Sequence, residues 1–226
     1  MPPVSPPPSP PPPAASARGG PDRPGSPHWL TEARRKALHF AFILLPLELL
    51  NEWLAWPRGK AEWRWALIAL TLTAIAIDVI RIHDHRVRKF FTRFVGELLR
   101  DHEHFSLLGS TYLLIAALLA VEIFPRPVAA AALGFTILGD GVAALVGRGI
   151  GRTRFFDKSF EGAAGGLAAC VAWACFLALT GALPWNVVLV GAGVASLVEF
   201  LPIPLDDNLG ITLFAGYAMK LLWSPA

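Results

Sequence analysis

The residues best able to do chemistry lie in three short segments, and the first of these is centred on Asp140. This acid stands between Gly139 and Gly141 inside a long apolar stretch. Ionisable residues inside apolar helices are costly, so each one is a candidate for function. A carboxylate in such a place needs a metal cation, a basic partner or a proton. The alternative is an aspartate that is hydrogen-bonded and purely structural.

The second segment, residues 147–162, combines glycines with basic side chains. Glycines let the backbone approach a phosphate closely, and arginines donate bidentate hydrogen bonds to it. Ser159 is placed to cap the following helix, whose N-terminus also favours an anion. Arginines in such a loop can also be topology signals and nothing more. The candidates for binding phosphate are Gly147, Arg148, Gly151, Arg152, Lys158 and Ser159.

The third segment contains Glu199 and the run Asp206-Asp207-Asn208. Two acids and an amide at the start of a helix are typical of capping. Carboxylates from two loops, together with phosphate oxygens, are also the usual ligands of Mg²⁺, which rarely has a cage made only of protein. The three segments therefore combine acids for a metal with basic residues for phosphates.

The elements that must position these segments are long apolar blocks. Hydrophobic residues make up 54% of the 226 residues and charged residues only 16%, against about a quarter in soluble domains. A membrane-crossing helix needs roughly 20 mostly apolar residues. We therefore predict an all-α, polytopic transmembrane bundle of about seven helices. The apolar blocks are residues 37–50, 63–80, 107–124, 128–146, 161–180, 185–201 and 209–223.

The basic residues predict the orientation of this bundle. Seven crossings place the segments 18–36, 81–100 and 148–158 on one side, with 15 of the 20 lysines and arginines. Cytoplasmic loops carry the excess of basic residues. The N-terminus and all three chemical segments are therefore expected on the cytoplasmic face of the cell's inner membrane.

Two regions are expected to lie outside the apolar blocks. Residues 1–27 contain twelve of the 20 prolines, a composition typical of disordered chain, so the membrane domain is assigned to residues 28–226. The basic loop 81–104 has apolar residues spaced for one helical face, which favours a helix lying on anionic membrane lipids. A solvated connector is the alternative, and nucleic acid is not needed to explain these charges.

The motifs resemble the family of dolichol kinases, phytol kinases and CTP-dependent diacylglycerol kinases, over about residues 31–223. The related membrane CDP-diacylglycerol synthases carry a longer Pro-Gly-His-Gly-Gly signature, whereas residues 202–208 here read Pro-Ile-Pro-Leu-Asp-Asp-Asn. That departure favours the kinase branch. The resemblance is carried by 139–148 (Gly-Asp-Gly-Val-Ala-Ala-Leu-Val-Gly-Arg), 151–152, 158–162 (Lys-Ser-Phe-Glu-Gly), 199, 206–208, 32–39 (Glu-x-x-Arg-Lys-x-x-His), 103 and 109–112.

The resemblance implies transfer of a phosphoryl group from CTP, or another nucleoside triphosphate, to a lipid alcohol. Diacylglycerol, dolichol or another polyprenol, and phytol all remain open as the acceptor. We expect Mg²⁺ as cofactor, bound by Asp140, Asp206 and Asp207, although one of these acids is alternatively the base toward the lipid hydroxyl.

The remaining roles concern the nucleotide. Arg148, Arg152 and Lys158 are expected to bind the triphosphate, and Asn208 to orient a phosphate or the nucleotide. Glu161 is expected to hold Lys158 or the metal. The residues expected to be catalytic are Asp140, Lys158, Glu161 and Asp207.

Two other functions remain alternatives at this point. A phosphatidate cytidylyltransferase would need no base, because its substrate brings a phosphate nucleophile and pyrophosphate is released. A small transporter would use Asp140 as an ion or proton relay, but such proteins often show internal repeats. The sequence shows no convincing repeat, and its acids cluster on one predicted face.

Overall fold

The computed structural model describes residues 27–96 and 106–223, which form a bundle of helices with one short hairpin. The predicted all-α class is confirmed for these residues. Most of the predicted Pro-rich tail, residues 1–26, lies outside them. The helices are α1 (Pro27–Ala41), α2 (Leu44–Asn51), α3 (Gly59–His83), α4 (His85–Val95), α5 (Gly109–Ile123), α6 (Arg126–Phe135), α7 (Gly141–Ile150), α8 (Phe160–Leu179), α9 (Trp185–Phe200) and α10 (Asp207–Leu222).

Two further elements lie next to the predicted chemical segments. A π-helical turn, Thr136–Asp140, joins α6 to α7, so that residues 126–150 form one continuous helix. Strand β1 (Arg154–Phe155) pairs with strand β2 (Lys158–Ser159) in an antiparallel hairpin.

Three of the described helices are long and apolar enough to cross a membrane: α3, the continuous helix 126–150, and α8. They correspond to the second, fourth and fifth predicted blocks. Helices α5 and α9 are apolar but shorter, with 15 and 16 residues. The described residues are thus compatible with a membrane protein, in which three helices rather than seven meet the spanning length of about 20 residues.

The first predicted block is broken into two helices. Helix α1 ends at Ala41 and α2 begins at Leu44, and only tight turns of the backbone connect them. Pro46 explains the break, because a proline removes one helical hydrogen bond and clashes with the carbonyl four residues earlier. That proline is tolerated in the first turn of a new helix, where the backbone amides have no helical partner.

The continuous helix 126–150 occupies the centre of the bundle. Residues 128–133 are fully buried, and four of them are alanines. Helices α2, α5, α8, α9 and α10 all contact α6, as small residues allow. Trp173 of α8 fills the space beside Gly134, and its indole nitrogen donates to the carbonyl of Ala131 at 3.2 Å.

Ion pairs hold the helices together at the end of the bundle remote from the predicted chemistry. The guanidinium of Arg64, in the first turns of α3, pairs with Glu122 near the end of α5. Arg126, at the start of α6, pairs with Glu52 just after α2, at 2.6 Å. These contacts show that α3 and α5 run in opposite directions, as the order of the predicted blocks requires.

A buried ion pair fixes the other end of α3 to the start of α5. Arg81 donates to Asp78 at 2.9 Å and to the carbonyl of Ser106 at 2.7 Å. The second carboxylate oxygen of Asp78 accepts from the hydroxyl of Thr111 at 2.7 Å and from the amide of Leu108 at 2.9 Å. A buried pair whose hydrogen bonds are satisfied in this way holds elements in place, and here it positions α5 beside the chemical end.

Helix α4 accounts for the first part of the predicted amphipathic loop. Asp84 caps it by accepting from the amides of Arg86 and Val87, and the guanidinium of Arg81 lies 5.5 Å from the centre of the Phe91 ring. Phe90 is exposed. Helix formation is therefore confirmed for 85–95. Contact with membrane lipids remains a prediction, and residues 97–105 lie outside the described part of the chain.

The close packing at Gly134 generates a first prediction. A methyl group there would lie 2.1 Å from the indole nitrogen of Trp173, whereas one at Gly193 would meet nothing within 4 Å. We expect Gly134→Ala to lower the free energy of unfolding by about 1–3 kcal/mol, because the rigid ring cannot yield. The matched variant Gly193→Ala is expected to be neutral or slightly stabilising. Thermal unfolding of both variants in detergent measures the difference, and equal melting temperatures would contradict this packing.

Candidate functional site

Asp140 occupies the last position of the π-helical turn. Such turns insert one extra residue into a helix and are frequent at functional sites. Inside this one, the buried hydroxyl of Thr136 lies 2.7 Å from the hydroxyl of Thr212 in α10. The extra residue changes the direction of the side chains that follow, and Asp140 is directed toward α1, where its partners lie.

The basic partner of Asp140 is Lys36. The Lys36 ammonium donates to the carboxylate at 2.5 Å, and the two side chains are only 4% and 15% exposed. His39, one turn further along α1, places its Nε2 3.7 Å from the same carboxylate oxygen. Helix α1 therefore supplies the charge that a buried aspartate requires.

A second contact joins α1 to the glycine-arginine segment. The buried carboxylate of Glu32 pairs with Arg35 at 2.5 Å and lies 3.4 Å from the guanidinium of Arg148. Glu32 and Lys36 are one helical turn apart, so both face α7. The opening motif of the family resemblance thus contacts the residues expected to bind phosphate.

Ser159 organises the junction between the glycine-arginine segment and α8. Its hydroxyl accepts from the amide of Gly162 at 3.0 Å, which confirms it as the N-cap of α8. A Cβ atom at Gly151 would lie 2.5 Å from this hydroxyl, and one at Gly162 would lie 2.9 Å from it. Only glycine allows the segment to close around Ser159 in this way.

The hairpin brings Lys158 to the third chemical segment. The Lys158 ammonium lies 3.1 Å from a carboxylate oxygen of Asp207 and 3.4 Å from one of Glu199, and it also donates to the Glu199 carbonyl. Of the two roles expected for Glu161, holding Lys158 is not what the structure shows, and holding the metal stays a prediction. The Glu161 carboxylate instead accepts from the amide of Thr153, because α8 starts with its first turn facing the preceding loop.

Asp206 and Asn208 form a cap at the start of α10. Asp206 accepts from the amide of Asn208 at 2.9 Å and from its side chain at 3.0 Å. The Asn208 side chain also donates to the carbonyl of Gly109 at 3.3 Å. Burial raises the pKa of Asp206 above its ordinary value, although the hydrogen bonds to Asn208 act in the opposite direction. Asn208 therefore links α10 to α5, and the structure favours the capping alternative for both residues.

These elements enclose a polar cavity of about 460 Å³. Its walls include the predicted residues Asp140, Gly147, Arg148, Lys158, Ser159 and Asp207. Further charged residues of the wall are Glu32, Arg154, Asp157 and Glu199. The predicted residues that do not line it are Gly151, Arg152, Glu161, Asp206 and Asn208.

Some residues of this site carried no predicted role. Lys36 was part of a recognised motif, but nothing in the sequence pairs it with an acid 104 positions away. Arg154 and Asp157 belong to the hairpin, and their position depends on a turn that places Phe156 in the left-handed region, with φ of 53°. Bulky side chains rarely adopt that conformation, so no local pattern predicts it.

The three aspartates expected to bind Mg²⁺ do not form one site. Among the described residues, no three His, Cys, Asp or Glu side chains are grouped so that they could hold a metal ion. Asp206 caps α10, while Asp140 and Asp207 line the cavity and are paired with Lys36 and Lys158. Two carboxylates are enough for Mg²⁺ that arrives with substrate phosphates, so Asp140 and Asp207 remain the candidates.

The chain resembles an uncharacterized protein. The chain is 32% identical over 136 residues to an uncharacterized protein of Rickettsia prowazekii (strain Madrid E). The alignment covers 58% of this chain and spans 63% of the length of that relative. No family model matches the chain, and no solved structure matches it.

Proposed function

We propose that this chain is an integral membrane phosphotransferase that moves a phosphoryl group from CTP, or another nucleoside triphosphate, to the hydroxyl of a lipid alcohol. The observation that carries the proposal is the polar cavity at one end of a bundle of apolar helices. Arg148, Arg154 and Lys158 line this cavity together with Asp140 and Asp207. Side chains that donate hydrogen bonds to phosphate thus lie beside carboxylates, at a place that both a lipid hydroxyl and a soluble nucleotide can reach.

The basic residues of the cavity would bind the triphosphate. Arg148 and Arg154 present planar guanidinium groups, which donate paired hydrogen bonds to phosphate oxygens. Lys158 acts as a point charge on the hairpin, between the arginines and α10. Phosphoryl transfer depends mainly on positioning and on neutralising charge, and these three residues supply both.

The carboxylates divide by exposure into two roles. The Asp207 side chain is 42% exposed and lies at the cavity edge, so it can accept the proton of an approaching hydroxyl. The hydroxyl oxygen bonds to the γ-phosphorus, the bond to the bridging oxygen breaks, and the nucleoside diphosphate leaves. Asp140 is held by Lys36 and contributes fixed negative charge deeper in the site.

The charge balance of the cavity supports a requirement for Mg²⁺. Five carboxylates line it against three basic side chains, so a bound triphosphate needs further positive charge. Asp140, together with the phosphate oxygens, would hold the ion, and Asp207 would be its second ligand only where it is not the base. When bound there, Mg²⁺ would neutralise charge on the phosphates.

The choice of substrates and compartment rests on other grounds. The family resemblance favours CTP and a lipid alcohol. The apolar helices favour a membrane location, and the excess of basic residues on the cavity side favours the cytoplasmic face of the inner membrane.

The proposal predicts transfer of label from γ-labelled CTP, with Mg²⁺, to a lipid alcohol by purified protein in lipid. Diacylglycerol, polyprenol, phytol and phosphatidate are offered separately. Asp140→Asn is expected to reduce transfer by roughly 100-fold or more. The control Asp84→Asn makes the same change at the exposed cap of α4, and we expect full activity. Pyrophosphate release with phosphatidate alone would replace the kinase by a cytidylyltransferase, and inactivity of folded protein with every lipid would refute both.

The pairing of Lys36 with Asp140 predicts a separation of stability from activity. Lys36→Met leaves a buried carboxylate without its cation, so we expect a loss of about 3–5 kcal/mol in the free energy of unfolding. The double variant Lys36→Met/Asp140→Asn removes both charges and should recover most of that loss. Thermal unfolding and the transfer assay are applied to the same samples. A double variant that is folded and inactive supports a functional Asp140, whereas one that is folded and active makes it structural.

The cap at Asp206 predicts a dependence of stability on pH. Because burial raises the folded-state pKa above the unfolded value of about 3.9, the ionised carboxylate weakens the fold at neutral pH. This destabilisation of the fold disappears as the pH falls through the folded-state pKa and then below the unfolded-state pKa. Asp206→Asn keeps a good N-cap without this charge. We therefore expect Asp206→Asn to melt at a higher temperature than the wild type at neutral pH, and at the same temperature below about pH 3.9. A lower melting temperature of the variant at neutral pH would show that the charge of Asp206 stabilises the fold.

A further inference from the structure

A second groove, of about 390 Å³, lies beside the polar cavity. It runs between the hairpin and the segment that connects α9 to α10. Most of the residues that line it are apolar, and the charged ones are Asp157, Lys158, Asp206 and Asp207. The residues that form this apolar wall include Phe155, Phe156, Phe200, Leu201, Ile203 and Leu205.

The groove and the polar cavity share part of their walls. Asp157, Lys158 and Asp207 line both. The two spaces therefore meet at the ion pair of Lys158 and Asp207, and beyond it the groove is lined by apolar side chains and by Asp206. A molecule that occupies both must be amphipathic, with its polar group at this ion pair.

The apolar wall is built from contacting aromatic rings. The ring of Phe200 lies parallel to that of Phe155, with centres 5.3 Å apart, and 5.1 Å from that of Phe160. Phe156, at the tip of the hairpin, is 71% exposed. Exposed aromatic rings around a groove are typical of a surface that binds an apolar partner.

The position of this wall identifies the kind of partner. Phe160 is the first residue of α8 and Phe200 the last residue of α9, so the groove lies where two apolar helices end. At that level a membrane gives way to water, and a lipid can place its chain among apolar groups and its hydroxyl among charged ones. The segment 201–205 offers only Leu, Pro and Ile side chains, which lack polar groups for the edge of a nucleobase.

We infer that this groove binds the hydrocarbon chain of the lipid alcohol and delivers its hydroxyl to Lys158 and Asp207. The inference rests on the proposed function and adds the location of the acceptor. The nucleotide occupies the polar cavity and the acceptor the apolar groove, so the two substrates meet at the shared wall.

Photolabelling tests this location without requiring turnover. Diacylglycerol and a polyprenol, each with a diazirine on its chain, are added separately to the protein in phosphatidylcholine nanodiscs without nucleotide. Label is expected in peptides covering 155–160 and 200–205, and an excess of the unlabelled alcohol should suppress it several-fold. Label spread evenly over the apolar helices would overturn the inference. Displacement by CTP, and not by the alcohol, would assign the groove to the nucleobase instead.

Kinetics of matched variants provide a second readout. Phe200→Ala removes a partly buried ring from the groove. Phe176→Ala removes a more exposed ring near the far end of α8, about 24 Å from Phe160 along the helix. We expect Phe200→Ala to raise KM for a long-chain alcohol by roughly tenfold or more, with kcat and the KM of a short-chain alcohol unchanged. Equal KM values in the two variants would contradict the groove.

The two readouts separate this inference from the proposed function. Specific labelling of the groove by protein that transfers no phosphoryl group would retain the lipid site and refute the kinase. Phosphoryl transfer with unspecific labelling and unchanged KM in Phe200→Ala would retain the kinase and refute this site.

Discussion

A carboxylate buried among apolar helices needs a cation, and this requirement determines how the chemical end of the bundle is built. Asp140 receives Lys36 from α1, and the buried Glu199 receives Lys158 from the hairpin, which also contacts the more exposed Asp207. Removing one partner of such a pair leaves an uncompensated charge, which costs several kcal/mol. The two lysines therefore hold α1 and the hairpin against α7, α9 and α10, and the cavity exists because they do.

Under the proposed function, the same pairs prepare the cavity for a ligand that changes its charge. In the structure, both lysines neutralise carboxylates. A triphosphate brings negative oxygens that can pair with a lysine, and its Mg²⁺ brings positive charge that can pair with the carboxylates. Each lysine and each carboxylate can therefore change its partner without being left as an unpaired charge. Such an exchange suits phosphoryl transfer, in which oriented charges contribute more than covalent chemistry from the protein.

Much of this arrangement could be predicted from local sequence, and the limits are physical. Asp140 flanked by glycines, and Ser159 before α8, follow rules that act within one turn of a helix. Glu161, three residues from Lys158 on the chain, is expected to hold either Lys158 or the metal, and the structure places Asp207 and Glu199 beside Lys158 instead. Sequence distance cannot tell which face of the first turn of α8 points outward. Glu199 and Lys36 reach the site only through packing of helices that are far apart in sequence. The lengths of the apolar blocks predict about seven spanning helices. Fewer of the described helices reach spanning length, because Pro46 divides the first block and because helices such as α5 and α9 are shorter than their blocks.

In the proposed reaction, the hairpin lets one site serve two substrates of opposite polarity. Its two strands are only two residues each. Arg154 and Ser159, at its two ends, line the charged cavity, Phe155 and Phe156 line the aromatic groove, and Asp157 and Lys158 line both. Lys158 stands at the boundary and contacts α10, while Phe155 packs on the end of α9. A regular helix could not make this change so abruptly, because its side chains repeat only every 3.6 residues. The turn at Phe156, in a backbone region that bulky residues avoid, is therefore the local strain that allows polar and apolar surfaces to meet at the point where a lipid hydroxyl would react.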